Sequence, residues 1–382
     1  MPIRKKQFTI VQEDLQKVID VDASDGRSVP VNMNFIDQGY LTKDTGFTIF
    51  GSATDVKRHS IFNYKKKDGT SYILGIRGTK MQRYYELDRE WSDLSNSPTL
   101  TEDAEVGYYV YDNNLYFGNA VESLYKFDGT TFTAYPSAPK GNILEIFEDR
   151  LFITGVVAEP LSIYYSNVGV PTTFSGTDVV KPLGTDRVVS LKNYYGALLI
   201  FKQKSIWKLT FIYDQIVNLF VPKLEAQSGS YGACSRKAVT WVENDLWFFT
   251  GREVRSIGFI DNITGVFGIN QSVISENIKE TLNLIDESNY DKCLTAYNDS
   301  RFYLGVPIDI DTNDTMFICH LLYNKSWTKY TGRTKATVSD FMFIDEIPYT
   351  ASSSFPYGVV KWKVEAGDKV DINNNLIAEQ EI

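Results

Sequence analysis

The acidic run DIDTND is the stretch of the sequence that most resembles a metal-binding loop. In it, Asp309, Asp311 and Asn313 have the spacing of the first three ligands of a calcium-binding loop, whose carboxylate and amide oxygens suit a hard cation. Such a loop also needs a glycine at its sixth position and a bidentate Glu at its twelfth, where this sequence has Asp314 and His320. We keep the first three residues as metal candidates, but the pattern favours a solvated hairpin loop.

Nucleophilic, metal-dependent and phosphate-transfer chemistry lack their usual signatures in this sequence. The chain has two histidines, His59 and His320, and neither belongs to an HExxH pair; no GxSxG or GxxxxGK[ST] motif is present. His320 lies in the apolar segment MFICHLLY, which favours a structural histidine, and His59 lies in the polar segment DVKRHS, which predicts an exposed one. We expect no enzymatic activity and no cofactor. The 48 acidic residues nevertheless leave open the alternative of a glycosidase that uses a pair of carboxylates.

Charge and hydropathy exclude further classes of protein. The formal net charge of −9 predicts no general attraction for phosphate backbones or acidic membranes. No apolar stretch approaches the ~20 residues of a membrane helix, and the basic N-terminus is not followed by the apolar run of a signal peptide. Cys234, Cys293 and Cys319 form no CxxC spacing, which suits a reducing compartment. We expect a soluble protein with no membrane insertion and no sequence-specific binding of nucleic acid.

A short hairpin motif recurs along the chain and predicts the fold. Each copy is a polar turn followed by alternating aromatic and aliphatic residues, as expected for a strand that follows a tight turn. Good copies occupy residues 68–75, 112–118, 148–155, 195–201, 243–251 and 298–305, and a looser copy with a proline begins at 343. The copies recur about every 46 residues, which is the length of a propeller blade with several strands. We predict an all-β protein, a β-propeller of about seven blades (six to eight).

Three segments stand apart from these repeats. Residues 272–288 have apolar residues at helical spacing after a serine, which predicts one short inserted helix on the edge of a blade. Its apolar positions are candidates for contacts with other proteins, namely Ile274, Ile278, Leu282 and Ile285. We divide the chain into an N-terminal arm (1–30), the propeller (31–358) and a C-terminal β segment (359–382). The arm and the C-terminal segment are each candidates to close the ring, and the arm could equally reach a neighbouring subunit.

Two stretches resemble the β-propeller structural proteins of bacteriophage tails. In the first, residues 28–52, the matching positions are Gly39, Leu41, Gly46 and Phe47. In the second, residues 228–260, they are Asn244, Asp245, Leu246, Trp247, Phe248, Gly251, Val254, Arg255 and Ser256. A third likeness, of residues 359–381 to half of a biotinyl or lipoyl carrier domain, lacks the lysine hairpin and predicts only a turn between two strands.

The tail-protein resemblance implies a structural role in the virion. It implies a nozzle, hub or stabilisation component that is assembled in the host cytoplasm into a homo-oligomeric ring. Its partners would be portal, adaptor or other tail proteins, and the ring would form part of the conduit for DNA ejection. It carries over no catalytic residues. The alternatives are a tail-tip propeller that recognises host surface glycan and, third, a propeller glycosidase.

Overall fold

The structure is a computed structural model that describes residues 33–35, 41–43, 48–52, 54, 56–216, 218–261, 266–269, 273–308, 313–323, 325–331, 338–352 and 358–362. The predicted N-terminal arm and the carrier-like turn near the C-terminus lie outside these residues. Two strands near the start pair as a separate sheet, β1 (Met33–Phe35) with β2 (Leu41–Lys43), and β3 (Thr48–Ile49) follows them.

Seven antiparallel four-stranded sheets form the body of the molecule, which confirms an all-β propeller with seven blades. The first three blades each use four consecutive strands. Blade 1 has β4 (Arg58–Lys65), β5 (Ser71–Arg77), β6 (Lys80–Tyr85) and β7 (Glu90–Asp93). Blade 2 has β8 (Gly107–Tyr111), β9 (Asn114–Gly118), β10 (Leu124–Phe127) and β11 (Phe132–Tyr135). Blade 3 has β12 (Ile143–Phe147), β13 (Arg150–Thr154), β14 (Ile163–Asn167) and β15 (Val170–Val180).

Blades 4 to 6 repeat this order, and blade 7 departs from it. Blade 4 has β16 (Val188–Tyr194), β17 (Ala197–Lys202), β18 (Ile206–Asp214) and β19 (Leu219–Ser228). Blade 5 has β20 (Val239–Val242), β21 (Asp245–Phe249), β22 (Val254–Asp261) and β23 (Val266–Ile269). Blade 6 has β24 (Leu294–Asn298), β25 (Arg301–Val306), β26 (Thr315–His320) and β27 (Ser326–Thr331). Blade 7 combines β28 (Val338–Ile344), β29 (Ile347–Ser352) and β30 (Val359–Lys361) with β3 from the N-terminal side.

Both faces of each inner strand are covered by a neighbouring blade. In β12, Ile143 and Phe147 pack into the apolar core shared with blade 4, whereas Leu144 and Ile146 belong to the core shared with blade 2. Residues that alternate along a strand point to opposite faces, so a strand between two blades needs an almost continuous apolar run. The propeller core therefore consists of layers between sheets.

The predicted hairpins are the turns that join the first and second strands of the blades. The seventh, looser copy is one of them, because Ile347–Ser352 is a strand despite Pro348. Non-glycine residues adopt positive φ in these turns, as at Asp112 (45°) and Asn113 (60°). A two-residue hairpin of this handedness needs positive φ at both central positions, and short polar side chains tolerate it best. The polar turn signal in the sequence therefore has a backbone cause.

The order of the strands divides the propeller into two faces. Turns between first and second strands, and between third and fourth strands, lie at one end of the sheets, which we call the turn face. The remaining connections lie at the other end, which we call the loop face, and they include the long loops that lead into each inner strand.

The ring is closed by pairing the two ends of the propeller. Ile49 of β3 pairs with Val360 of β30, and the next residue, Phe50, donates its backbone N–H to Val359 O at 2.7 Å. The ring of Phe50 then stacks on Tyr84 of blade 1, with centroids 3.8 Å apart. Closure therefore combines strand pairing within blade 7 with aromatic packing against blade 1.

One short helix lies in the inserted segment, as predicted, but it covers fewer residues than the range 272–288. The segment contains a 3-10 turn (Glu276–Ile278), the short helix α1 (Lys279–Leu282) and a second 3-10 helix (Glu287–Lys292). A further 3-10 turn lies in blade 6 (Leu321–Tyr323). Asp286 begins the second 3-10 helix by accepting a hydrogen bond from Ser288 N at 2.8 Å. The helical spacing arises because a compact turn buries the same apolar positions that a continuous helix would bury.

We predict that Phe50→Ala lowers the free energy of unfolding by about 2 kcal/mol or more, because it removes ring contacts to Tyr84, Trp91 and Tyr349 at the closure. Urea denaturation would measure the change. Leu322→Ala, at a side chain that is 70% exposed, should change stability by less than about 0.5 kcal/mol. Equal effects of the two substitutions would contradict the role given to the closure.

Candidate functional site

Charged side chains meet at the axis of the ring, where loops lead into the inner strands. Arg236 Nη2 donates a hydrogen bond to Glu105 Oε2 at 2.8 Å, and Lys237 Nζ lies 3.3 Å from Glu105 Oε1. Lys237 Nζ also lies 3.4 Å from Asp340 Oδ1. We call Glu105, Arg236, Lys237 and Asp340 the channel cluster. Two cations face two carboxylates in it, so each partly buried charge has an opposite charge nearby.

The channel cluster joins blades from opposite sides of the ring. Arg236 leads into blade 5, and its Nη1 donates to the backbone oxygens of Val106 (3.3 Å) and Asn142 (3.1 Å), which lead into blades 2 and 3. Lys237 Nζ donates to Ser339 O of blade 7 at 2.7 Å. Because blades 2 and 5 face each other across the axis of a seven-bladed ring, these side chains span the central channel.

Burial and neighbouring charges shift the pKa values of the two carboxylates of the cluster in opposite directions. Burial would raise the pKa of Glu105, but the Lys237 and Arg236 cations hold that pKa well below its ordinary value. Burial raises the pKa of Asp340, and the attraction of Lys237 only partly offsets this effect. Glu105 is therefore the more firmly ionised of the two acids.

A cavity of about 650 Å³ opens on the loop face next to the cluster. Its charged lining is mainly basic and comprises Lys57, Arg187, Arg236, Lys292, Glu105 and Asp291. Asn313 also lines it, and its buried Oδ1 has no hydrogen-bond partner among the described residues. Cations beside an unused acceptor are suited to a small molecule that carries both a negative charge and a hydroxyl or amine group.

The predicted calcium ligands are only partly within the described residues. Asp309 and Asp311 lie outside them. Asn313 is buried in the loop between β25 and β26, where its Nδ2 donates to Lys292 O at 2.7 Å and to Val338 O at 2.9 Å. Within the ranges that the structure describes, no three His, Cys, Asp or Glu side chains gather as metal ligands would. Asn313 thus links the 3-10 helix that precedes blade 6 to the inner strand of blade 7.

The prediction that His59 is exposed was wrong. His59 lies at the start of the inner strand β4, is buried, and its Nδ1 is 2.9 Å from Ser60 Oγ. Burial, with help from the Lys57 and Lys237 cations, lowers its pKa to about 4. His320 is buried as predicted, with Nε2 2.9 Å from Thr328 Oγ1, and burial lowers its pKa to about 3. Both imidazoles are neutral at pH 7 and pack within the sheets, His59 on the inner strand of blade 1 and His320 on the third strand of blade 6.

Glu145 is a buried acid that sequence reasoning missed. It lies on the inner strand β12, where it is hydrogen-bonded to Tyr109 and to the backbone of Asn193. Burial raises its pKa to about 7, and the attraction of Lys192 only partly opposes this effect. Glu145 does not line the cavity on the loop face, so its perturbed pKa reflects packing between blades 2, 3 and 4.

The predicted contact residues of the inserted segment belong to the protein's own core. Ile278, Leu282 and Ile285 are buried in the apolar cluster between blades 4, 5 and 6, and Ile274 packs against that cluster. The side chains of Ile278, Leu282 and Ile285 are therefore not available to another protein in this structure, and that of Ile274 is half-buried. The assignment of these four residues as an interaction surface is corrected by their burial.

An exposed apolar surface lies instead at the end of the outer hairpin of blade 4, on the turn face. The strands β18 and β19 have nine and ten residues and end in a turn around Ile216. Five large apolar side chains there are 45% to 93% exposed, namely Ile212, Tyr213, Ile216, Leu219 and Phe220. We call these five residues the apolar tip. Tyr213 and Phe220 pair across the strands with ring centroids 5.4 Å apart, which stiffens the tip.

Comparisons with known proteins show the fold alone. No protein-family model matches the chain, and no curated protein matches it. Among solved structures, virginiamycin B lyase from Staphylococcus aureus has a TM-score of 0.53 at 11% identity, over 82% of this chain and 98% of the lyase. Raptor from Chaetomium thermophilum has a TM-score of 0.52 at 10% identity, over 84% of this chain and 29% of Raptor. Among the described residues, no helix is long and apolar enough to cross a membrane.

We predict that Glu145→Gln makes the stability of the protein less dependent on pH. A Glu whose pKa is raised to about 7 on folding stabilises the folded state at low pH, and this contribution is lost as the pH rises through about 7. The free energy of unfolding of the variant, relative to that of the wild type, should therefore rise by about 2 kcal/mol from pH 5 to pH 8. Urea denaturation at each pH would measure it.

The matched control is Glu102→Gln, a change at an exposed acid. The free energy of unfolding of this variant should change with pH as that of the wild type does across the same range. If the free energy of unfolding of Glu145→Gln also changes with pH as that of the wild type does, Glu145 does not ionise in this range.

Proposed function

We propose that the protein is a structural component of a phage virion tail, of the nozzle or hub type, that assembles with other copies and with neighbouring tail proteins. The observation that carries the proposal is the apolar tip. The resemblance of residues 28–52 and 228–260 to tail propellers supports the choice of assembly, and the closed ring of seven blades supports a rigid, structural role.

The apolar tip is suited to contact with another protein. Taking the area of a large side chain as about 150–250 Å², its five residues expose roughly 500 Å². A patch of this size on one protruding element is at the upper end of what monomers tolerate, and apolar patches of this kind mark interaction sites. Apolar side chains lie on both faces of the hairpin, because Ile212 and Tyr213 are consecutive in β18. The tip therefore fits a groove better than a flat surface.

The channel cluster bears on the path of DNA in this proposal. Arg236 and Lys237 cross the channel of the propeller and are held by Glu105 and Asp340. A conduit for duplex DNA therefore runs between the subunits of an oligomeric ring, and each propeller serves as a solid building block. The net charge of −9 suits a wall along which DNA slides without sticking.

The loop-face cavity favours one second candidate function, recognition of a host surface glycan. Lys57, Arg187 and Lys292 could pair with the carboxylate of an acidic sugar, and Asn313 Oδ1 could accept from one of its hydroxyls. Binding of acidic but not neutral oligosaccharides on a glycan array, lost in Arg187→Gln, would favour this candidate.

We predict that a virus carrying Ile216→Asp and Phe220→Ser fails to build complete tails, because a charge and a hydroxyl replace apolar contacts of the tip. Electron microscopy and mass spectrometry of purified particles would measure tail assembly and the copy number of this protein. Leu183→Asp, a change at a side chain that is 76% exposed on the loop face, is the matched control and should leave tails intact. Absence of the protein from wild-type particles would overturn the proposal.

A further inference from the structure

Two buried thiols lie next to each other on the loop face. Cys234 is in the loop that leads into blade 5, and Cys293 directly precedes the inner strand of blade 6. The two thiols interact with each other, and both side chains belong to the apolar cluster between blades 4, 5 and 6. Both cysteines are free. We call these two residues the thiol pair.

Hydrogen bonds hold the two chain segments that carry the thiol pair against each other. Ser235 Oγ donates to Cys293 O at 2.5 Å. Two residues further along each segment, Lys237 O accepts from Thr295 N at 2.8 Å and from Thr295 Oγ1 at 3.0 Å. A disulfide needs Cα atoms roughly 4.4–6.8 Å apart, and segments joined by such bonds beside both cysteines run close enough for it.

One of the two thiols borders a cavity. A cavity of about 800 Å³ opens on the loop face between blades 4 and 5 and the inserted segment, and its lining includes Cys234 but not Cys293. Tyr290 also lines it, and the phenol of Tyr290 lies near both thiols. A small oxidant in this cavity therefore meets Cys234 first, and Cys293 is behind it as the second thiol.

We infer that Cys234 and Cys293 form a disulfide when the folded protein meets a peroxide, and that this bond locks blade 5 to blade 6 on the loop face. The inference does not depend on the proposed function. Arg236 and Lys237 of the channel cluster follow Cys234 by two and three residues. The bond therefore also fixes the loop that crosses the channel.

The reaction takes place in two steps. The Cys234 sulfur attacks one oxygen of hydrogen peroxide, the O–O bond breaks, and a sulfenic acid and one water are formed. The Cys293 sulfur then attacks the Cys234 sulfur, whose oxygen leaves as a second water, and the S–S bond is formed. The thiols lose two electrons and two protons, and the peroxide takes up both. Burial raises the pKa of the Cys234 thiol, so little thiolate is present at pH 7 and the first step is slow.

The third cysteine is too far away to take part in the folded protein. Cys319 pairs with Phe302 in the sheet of blade 6, whereas Cys293 lies beside the other end of that sheet, because Leu294 pairs with Gly305. The two cysteines are therefore roughly 13 Å apart along the strands alone. No disulfide spans this distance.

In the unfolded chain the preference is reversed. Cys293 is 26 residues from Cys319 and 59 residues from Cys234. Loop closure favours the shorter loop by about threefold, so random oxidation joins residues 293 and 319 more often than residues 234 and 293. The identity of the disulfide therefore reports whether the fold directs its formation.

Peroxide oxidation of the wild-type full chain tests the inference. Folded, reduced protein is treated with hydrogen peroxide, then unfolded in guanidinium chloride with N-ethylmaleimide and weighed by mass spectrometry. We expect one maleimide adduct in place of the three on the reduced chain, and a peptide pair joined through residues 234 and 293. Oxidation of protein that is already unfolded should give mainly the pair 293 and 319.

Thermal unfolding measures the lock. The bond closes a loop of about 60 residues and should raise the Tm by roughly 5 °C, because it restricts the unfolded chain. Cys293→Ser should abolish the rise on peroxide treatment, and Cys319→Ser, also at a buried thiol, is the matched control and should keep it. Each variant is compared with its own reduced form, and the wild-type mass spectrum decides alone if a variant does not fold.

Four results would overturn the inference. Three maleimide adducts after peroxide treatment would show that the thiol pair does not react. Sulfinic acid at Cys234 with Cys293 still free would show that the second thiol cannot reach the first. A disulfide of folded protein that includes Cys319 or a second chain would place the bond elsewhere. An unchanged Tm in protein that carries the 234–293 bond would remove the lock.

Discussion

The whole molecule depends on one constraint, that every sheet must cover both of its faces with another sheet. A single blade leaves two apolar faces open, and six clusters of buried side chains show how adjacent blades cover them. An open row of blades would still leave the two end faces bare. Closing the row into a ring removes these faces, and the aromatic contacts of Phe50 with Tyr84, Trp91 and Tyr349 are formed where the row meets itself.

Ring closure leaves a region around the axis that the inner strands cannot fill with their own backbone. Side chains from the loops meet there, and the cations among them donate hydrogen bonds to backbone oxygens at the ends of inner strands that face the axis. Arg236 is central, because its guanidinium has enough donors to bind Glu105 and two carbonyl oxygens at once. The cavity beside it inherits a basic character because Lys57, Arg187 and Lys292 precede inner strands in the same way.

The sequence predicted those parts of the fold that depend on local turn chemistry. Residues with positive φ lie in all seven first turns, as polar residues in five of them, as Gly69 in blade 1 and as Tyr195 with Gly196 in blade 4. The apolar run after each turn marks the second strand. Contacts across the axis were not predictable, because Glu105 and Arg236 are far apart in the sequence and meet only in the folded ring. The basic pair Arg236–Lys237 before an apolar strand was nevertheless a visible signal. His59 was misjudged because its polar flank continues directly into an inner strand. In the apolar tip, the run FIYDQIVNLFV carries more apolar residues than one buried face requires, and this excess was the signal for an exposed surface.

The closure between β3 and β30 also bears on how the chain reaches its native state. Residues 49 and 360 pair within one sheet, so all of the chain between them must leave the ribosome before the last sheet can be completed. Blades 1 to 6 have all their strands in sequence and can form during synthesis, whereas the ring stays unsealed until the end. The strand β3 therefore waits without its sheet partner while blades 1 to 6 form, whereas the open edge of β30 can be covered by β3 as soon as β30 has been made.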